Sequence, residues 1–224
     1  MSEQPLLQAV VFDLDGLMFN TEELYDDVGE MLLQRRGCHY TGELKREIMG
    51  RPARVGLKIM IEWHGLEATV EQLQTETAEI FAAILPTRLR ALPGLEALLR
   101  SLESVPVPKA IATSSGRAYT RTVLSQFDYV PRFQFVLTGE DVREGKPAPE
   151  VYLTAAECFG VPPSALMVLE DSENGCRAGV SAGAFTVAVP GPHSREHDFR
   201  GVALVASSLA DARIYHALGL AAPV

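Results

Sequence analysis

Cysteine is scarce in these 224 residues: Cys38, Cys158 and Cys176 are the three present, and no two of them form a C-x-x-C pair. An odd, scattered set argues against a disulfide framework or a structural zinc site, and makes a reducing cytoplasm the expected compartment. Positive charge is short as well. Twenty Lys and Arg face 29 Asp and Glu for a net charge of −9, and no basic run could neutralise a stretch of polynucleotide. Nucleic acid is therefore not an expected partner, although a small anion needs only one or two cations and a few amides. No segment reaches ~18 uninterrupted apolar residues, and Met1 to Gln8 has no basic region leading into an apolar stretch. Neither a membrane span nor a leader is expected, internal repeats and low-complexity tracts are missing, and a monomer is the default.

What is present is globular: 47% hydrophobic and 22% charged residues, enough for one sizeable core or a core carrying a smaller insertion. Ala9-Val10-Val11-Phe12 is a short apolar run stopped by Asp13-Leu14-Asp15-Gly16, the pattern of a buried strand ending in a polar turn. Lys109 to Thr113, Phe135 to Thr138 and Leu166 to Leu169 repeat it, Phe185 to Val189 is closed by Pro190-Gly191-Pro192, and Val202 to Val205 reads as a last short strand. Gly94 to Leu102, Ala118 to Gln126, Glu150 to Phe159 and Cys176 to Ala182 carry apolar residues at spacings of three and four, the helical period. Strand and helix in alternation predict right-handed βαβ units, hence an α/β, Rossmann-like, doubly wound parallel sheet.

Residues 20–86 break that rhythm. Helical patterns over Thr21 to Arg36, Gly42 to Met49, Arg54 to His64 and Val70 to Leu85, with no strand among them, predict an all-helical cap inserted into a core of residues 1–19 and 87–224. Hinges are expected near Phe19 to Asn20 and Pro86 to Leu92, with Thr21 capping the first cap helix and Glu22 and Glu23 in its first turn.

In open parallel sheets ligands bind at the carboxyl ends of strands. The polar residues ending the first, second and fourth apolar runs should meet there: Asp13 and Asp15, Thr113 with Ser114 and Ser115, and Glu170 with Asp171. Carboxylates without imidazole or thiolate select a hard cation held through oxygen, with Mg²⁺ the usual choice. Each motif alone also describes a turn, a helix cap or a loop acidic pair; their joint order carries the reading.

Val10-Val11-Phe12-Asp13-Leu14-Asp15-Gly16, Ile111-Ala112-Thr113-Ser114-Ser115, Gly145-Lys146-Pro147-Ala148-Pro149-Glu150 and Val168-Leu169-Glu170-Asp171-Ser172 resemble, in order, the four motifs of the haloacid dehalogenase-like hydrolase superfamily. The helical insertion after the first motif is similar to the cap of its phosphatase and β-phosphoglucomutase branch. The resemblance implies that Asp13 is a nucleophile forming an aspartyl-phosphate and Asp15 a general acid and then base. It implies Mg²⁺ held by Asp13, Asp171 and the Asp15 backbone carbonyl, with Glu170 a ligand or a partner of one. Thr113 and the amides near Ser114 and Ser115 would bind phosphoryl oxygens, and Lys146 would offset crowded negative charge. The implied activity is hydrolysis of a small phosphorylated metabolite.

Within the superfamily, dehalogenases lack the acid two residues after the nucleophile and phosphonatases typically carry alanine there, so Asp15 favours phosphoryl transfer. The cap lysines Lys45 and Lys58 read as solvated rather than as Schiff-base formers. The alternative is a β-phosphoglucomutase-type sugar-phosphate mutase, but those enzymes usually place a cap histidine where this chain has Tyr25, and a Gly-Val-Ser-Arg-like loop where it reads Gly50-Arg51-Pro52-Ala53-Arg54. Tyr25 and Arg51 are the cap residues nominated for substrate binding, with Phe19 beside them. A catalytically silent binding module is disfavoured because no motif residue is missing. Asn20, where many relatives carry Asp, is expected to tune the cap turn. His193 and His197 read as surface loop, and Trp63, Met31 and Met60 as cap core.

Overall fold

A computed structural model of the chain describes residues 6–48, 51 and 53–222. Six strands lie among them: β1 (Ala9–Phe12), β2 (Lys109–Ala112), β3 (Val136–Leu137), β4 (Leu166–Glu170), β5 (Phe185–Ala188) and β6 (Leu204–Val205). They pair in parallel in the order β3-β2-β1-β4-β5-β6. Every residue of β1, β2 and β4 is buried, as a parallel strand covered by helices on both faces requires. The chain builds one half from β1 through β2 to β3, then returns to the other side of β1 for β4. Its topological switch point therefore lies between β1 and β4, where doubly wound sheets open their ligand crevice. The Rossmann-like architecture expected from the strand and helix rhythm is the one the chain forms.

The helices are α1 (Thr21–Gln34), α2 (Gly42–Ile48), α3 (Ala53–His64), α4 (Val70–Arg88), α5 (Leu95–Ser104), α6 (Arg117–Leu124), α7 (Glu150–Phe159), α8 (Glu173–Ser181) and α9 (Ala212–Ala217). Leu95, Leu98, Leu99 and Leu102 of α5 form one fully buried stripe, each worth ~1.5–3 kcal/mol of burial. Val151, Tyr152, Ala155 and Ala156 of α7 join Ala178 and Ala182 against Ala9, Val11, Leu166 and Val168 of the sheet. The sequence pattern gives no expectation of α9, a helix of six residues whose N-terminus is capped by Asp211 accepting from Arg213 N.

The chain divides into two compact units, one of residues up to Asn20 with Arg90 onward, the other Thr21–Leu89. The second contains α1 to α4. α4 opens with a capping box in which Gln72 N donates to Thr69 Oγ1 at 3.2 Å and Thr69 N to Gln72 Oε1 at 2.8 Å. Arg36, past the end of α1, reaches Glu76 of α4 with both guanidinium nitrogens.

Two local expectations are corrected. Residue 86 does not end the cap, because α4 runs through Pro86 to Arg88. Proline lacks only its own N–H, and the Leu85 carbonyl still accepts Leu89 N at 3.0 Å, so the last turn closes around it. Thr21 is not a side-chain cap: it is the first helical residue and fully buried, and its hydroxyl finds no partner among the described residues. The preceding Asn20 uses its side-chain oxygen elsewhere. Asn20 Oδ1 accepts from Arg90 N at 2.8 Å while Asn20 N donates to Arg90 O at 3.2 Å. With Leu92 N bonding Met18 O at 2.8 Å and a bridge between Phe19 and Ala91, the two linker segments are tied together within the first unit. Phe19 stacks on Phe127 at 5.0 Å and on Tyr129 at 6.0 Å, which anchors that crossing. An aspartate at position 20 could accept the same N–H, so asparagine preserves this turn. Met49, Gly50 and Pro52, part of the expected second cap helix and of the loop after it, lie outside the described residues.

Among the described residues no helix is long and apolar enough to cross a membrane. One buried polar atom stands out in the core: Tyr215 of α9 is fully buried, yet its hydroxyl has no hydrogen-bond partner among the described residues. Burial also pushes its phenol pKa up. Removing an unsatisfied buried donor while keeping the ring relieves a desolvation penalty of about 1–3 kcal/mol. Tyr215→Phe is therefore expected to leave the melting temperature unchanged or raise it. A drop in thermal denaturation would mean that the hydroxyl has a partner.

Candidate active site

Each motif is carried by the carboxyl end of a strand or by the loop beyond it. Asp13 follows β1, and its amide donates to Leu169 O of β4 at 3.0 Å, pinning the residue across the switch point. Thr113 follows β2 and its amide donates to Leu137 O at 3.0 Å. Glu170 ends β4, and Asp171 follows it. Lys146 arrives on the loop before α7. That loop is latched by Glu150, whose carboxylate accepts from Glu144 N at 2.8 Å and from Arg143 N at 3.1 Å. Those amides hold the Glu150 pKa below its usual value.

Lys146 is the hub. Its side chain is 5% exposed and its ammonium donates to Asp13 Oδ1 at 2.5 Å, Glu170 Oε1 at 2.6 Å and Ala112 O at 2.9 Å. Three protons thus meet three acceptors. Glu170, fully buried, is held from every side: Tyr152 OH donates to Oε1 at 2.6 Å, and Ser172 Oγ and N donate to Oε2 at 3.0 and 3.3 Å. Ser172 in turn caps α8 by accepting Gly175 N at 3.2 Å. A Cβ on Gly175 would lie 1.8 Å from Glu170 Oε1, so glycine there gives the carboxylate its room.

The charges do not balance. Asp13, Glu170 and Asp171 are all buried, with candidate ligand oxygens within 4.8 Å of one another, and Lys146 is the ammonium among them. Burial pushes the Asp13 carboxyl well up, Glu170 and Asp15 add like charge, and Lys146 opposes them. Burial also works against the Lys146 ammonium, but Asp13 and Glu170 outweigh it and raise its pKa. A buried set of oxygen donors with surplus negative charge suits a hard divalent cation, and the residues fit the Mg²⁺ expected from the sequence. Burial, with Glu170 and Asp171 nearby, raises the Cys176 thiol, so it is no thiolate nucleophile.

The side chain of Asp15 stands apart from the metal-type group. Its Oδ2 accepts from Ser115 Oγ at 2.7 Å and from Thr113 Oγ1 at 3.4 Å, and its Oδ1 from Tyr119 OH at 2.8 Å. The Ser115 amide, expected on a phosphoryl oxygen, here donates to Thr113 Oγ1 at 3.0 Å. At the start of α6 the Arg117 amide is met by Glu140 Oε1 at 2.9 Å, a carboxylate at a helix N-terminus. Gly139 permits the close approach of the β2 and β3 loops, since a Cβ there would lie 2.6 Å from Ser114 O.

The core unit thus brings together Asp13, Asp15, Thr113, Ser115, Lys146, Glu170 and Asp171. Ser114 sits exposed in the same loop. Tyr25 and Arg51 belong to the helical unit, where Tyr25 stacks on Phe81 at 5.2 Å and Arg51 lies 3.7 Å from Glu47. His197 Nδ1 accepts Glu173 N at 3.3 Å. Tyr119, Tyr152 and Gly175 were not legible as site residues. Tyr152 falls on the apolar stripe of α7 and reads as core until its hydroxyl is seen on Glu170.

Residues 10–189 match the family model for haloacid dehalogenase-like hydrolase. A probable pseudouridine-5′-phosphatase of Drosophila melanogaster is 37% identical over 207 residues, covering 90% of this chain and 89% of that protein. A phosphorylated carbohydrates phosphatase of Thermotoga maritima is 33% identical over 177 residues, covering 79% of this chain and 82% of the relative. Among solved structures, a β-phosphoglucomutase-like protein from Thermotoga maritima superposes with a TM-score of 0.82 at 29% identity, covering 95% of this chain and 97% of its own. Sequence, sheet order and site agree, and the chain belongs to the haloacid dehalogenase-like hydrolase family.

Proposed function

We propose that this enzyme is a Mg²⁺-dependent phosphatase that hydrolyses a small phosphate monoester through an aspartyl-phosphate on Asp13. The observation that carries the reading is the buried Asp13–Lys146–Glu170 chain beside Asp171, with a second carboxylate, Asp15, two residues along and held separately. Asp13, Asp171 and the Asp15 carbonyl would hold the metal, which supplies positive charge against the repulsion between carboxylate and phosphate.

In the first half-reaction an Asp13 oxygen forms a bond to phosphorus as the ester P–O bond breaks, and Asp15 gives its proton to the leaving oxygen. In the second, Asp15 takes a proton from water, whose oxygen attacks phosphorus and releases inorganic phosphate and the Asp13 carboxylate. Lys146 holds Asp13 on its line of attack, and Glu170 holds Lys146. Thr113 and the Ser114 amide are assigned to the phosphoryl oxygens, and Ser115 binds there once the phosphoryl group draws its hydroxyl. Substrate selection is assigned to the helical unit through Tyr25 and Arg51. The relatives are named for a nucleoside 5′-phosphate and for phosphorylated carbohydrates, so a phosphorylated sugar or nucleoside is the proposed substrate class.

A panel that includes pseudouridine 5′-phosphate, hexose phosphates and ribose 5-phosphate tests this, with released phosphate scored against isomerised product. Phosphate release with Mg²⁺ and its loss in chelator are expected. Isomerisation without phosphate release would establish a mutase, and undiminished turnover in chelator would remove the metal from the reaction.

A further inference from the structure

Asp15 has to serve two proton transfers at one place. In an in-line mechanism the leaving oxygen departs opposite Asp13, and the water of the second step approaches along the same line. A carboxylate locked in one position therefore suits both steps, whereas one free to rotate has to find that position twice. The terminal torsion of aspartate is broad and imposes little orientation by itself. Gly16, next in the chain, lies in the left-handed region at φ 76°, so the backbone turns away immediately after Asp15. The orientation has to come from elsewhere.

It comes from hydroxyls on both sides of the carboxylate. Ser115 Oγ holds Oδ2 at 2.7 Å and Tyr119 OH holds Oδ1 at 2.8 Å, with Thr113 Oγ1 at 3.4 Å from Oδ2. Donors on opposite oxygens fix the plane of the group, because turning it breaks one bond or the other. The two serine and threonine donors are also the groups assigned to the phosphoryl oxygens. Once a phosphoryl group engages them, their hold on Asp15 weakens, and the Tyr119 phenol is the donor that has no such second duty in the mechanism. Tyr119 comes from the first turn of α6, four residues after Ser115. On the same helix Thr120, Val123 and Leu124 are buried, so the core face secures the helix that carries the phenol.

We propose that Tyr119 is the positioning residue for Asp15, keeping its carboxylate aimed while Ser115 and Thr113 turn to the phosphoryl group. The inference rests on the reading of Asp15 as general acid and base. Its loss should affect turnover more than binding.

Tyr119→Phe keeps the ring and removes the bond. On ribose 5-phosphate, an alkyl ester whose leaving oxygen needs a proton, kcat is expected to fall about 10- to 100-fold, the worth of one hydrogen bond to a charged group, with KM little changed. The same substitution is then placed in an Asp15→Ala background and assayed by the first-turnover release of p-nitrophenolate from p-nitrophenyl phosphate. That release reports the first step alone, because the leaving group needs no proton and the hydrolysis that Asp15 would assist comes after it. There Tyr119→Phe is expected to change nothing, because the group it positions is gone. An equal loss with and without Asp15, or a rise in KM with kcat preserved, would show that Tyr119 acts on the substrate or on the fold and would overturn the proposal. Wild-type turnover in Tyr119→Phe would overturn it as well. Wild-type turnover of ribose 5-phosphate by Asp15→Ala would instead remove the acid/base reading beneath it. Should Tyr119→Phe melt below the wild type, Tyr119→Leu in the same two backgrounds provides the comparison, with the same outcomes.

Discussion

Asp13→Asn is expected to lower phosphate release by about 10⁴-fold or more, as loss of a covalent nucleophile does in other enzymes, without unfolding the protein. Rapid-quench intact-mass measurement should find the phosphorylated chain in wild type and not in the variant. The stability side of this expectation follows from the charge count at the site. Removing one member of a buried ion pair ordinarily destabilises by about 3–5 kcal/mol, because a charge is left without a partner. Lys146 is not left so: it keeps Glu170 Oε1 at 2.6 Å and Ala112 O at 2.9 Å. Asp13, meanwhile, is the carboxyl that burial, Glu170 and Asp15 all push up. A neutral amide in its place relieves that crowding, so the melting temperature of the metal-free protein should hold or rise. Adding Mg²⁺ should reverse the ranking, because a ligand stabilises the state that binds it and the variant has lost one oxygen of the proposed set. A variant that keeps turnover within tenfold of wild type would end the aspartyl-phosphate mechanism.

Gly175→Ala should be nearly as severe for a different reason. The new methyl would fall 1.8 Å from Glu170 Oε1, 1.9 Å from Cδ and 2.2 Å from Oε2. Such a clash is mild when the other atom ends a mobile side chain. Here the carboxylate is held by Lys146, Tyr152 and Ser172, and none of those bonds survives a displacement of that size. Overpacking together with a broken buried pair costs about 3–5 kcal/mol, a fall in melting temperature of roughly 6–20 °C for a chain of this length. Activity should go with it, since Lys146 loses its anchor. Glu170→Ala in the same chain vacates the space, so the double variant should be more stable than the sum of the two single changes while staying inactive. Additive losses would show that the methyl clashes with the helix backbone rather than with Glu170.

The parts of this molecule legible in the sequence are those set by short-range chemistry. Apolar runs broken by Asp13, Thr113 and Glu170 mark strands because burial on both faces leaves no polar position until the strand ends. The candidate set is legible because sheet topology brings those ends to one place. Tyr119 and Tyr152 escaped for the opposite reason. Each is an ordinary helical position whose hydroxyl acquires meaning only across the fold, 104 residues from Asp15 in one case and 18 from Glu170 in the other. The last turn of α4 was hidden by Pro86, since proline marks the end of a helix on average and the carbonyl that closes this particular turn is visible only in three dimensions. Thr21 shows the limit of cap reading: moving the helix start by one residue turns a capping hydroxyl into a buried orphan.

The paired linkers have a consequence of an evolutionary kind. The chain leaves the first unit after Met18 to Asn20 and re-enters it at Arg90 to Leu92, and these segments are hydrogen-bonded to each other. An insert spliced between two adjacent, mutually bonded points imposes no closure strain on its host. The intervening residues can therefore lengthen, shorten or be swapped for another module without disturbing the register of β1. Selection is free to rewrite the inserted module while the residues gathered at the strand ends are inherited unchanged.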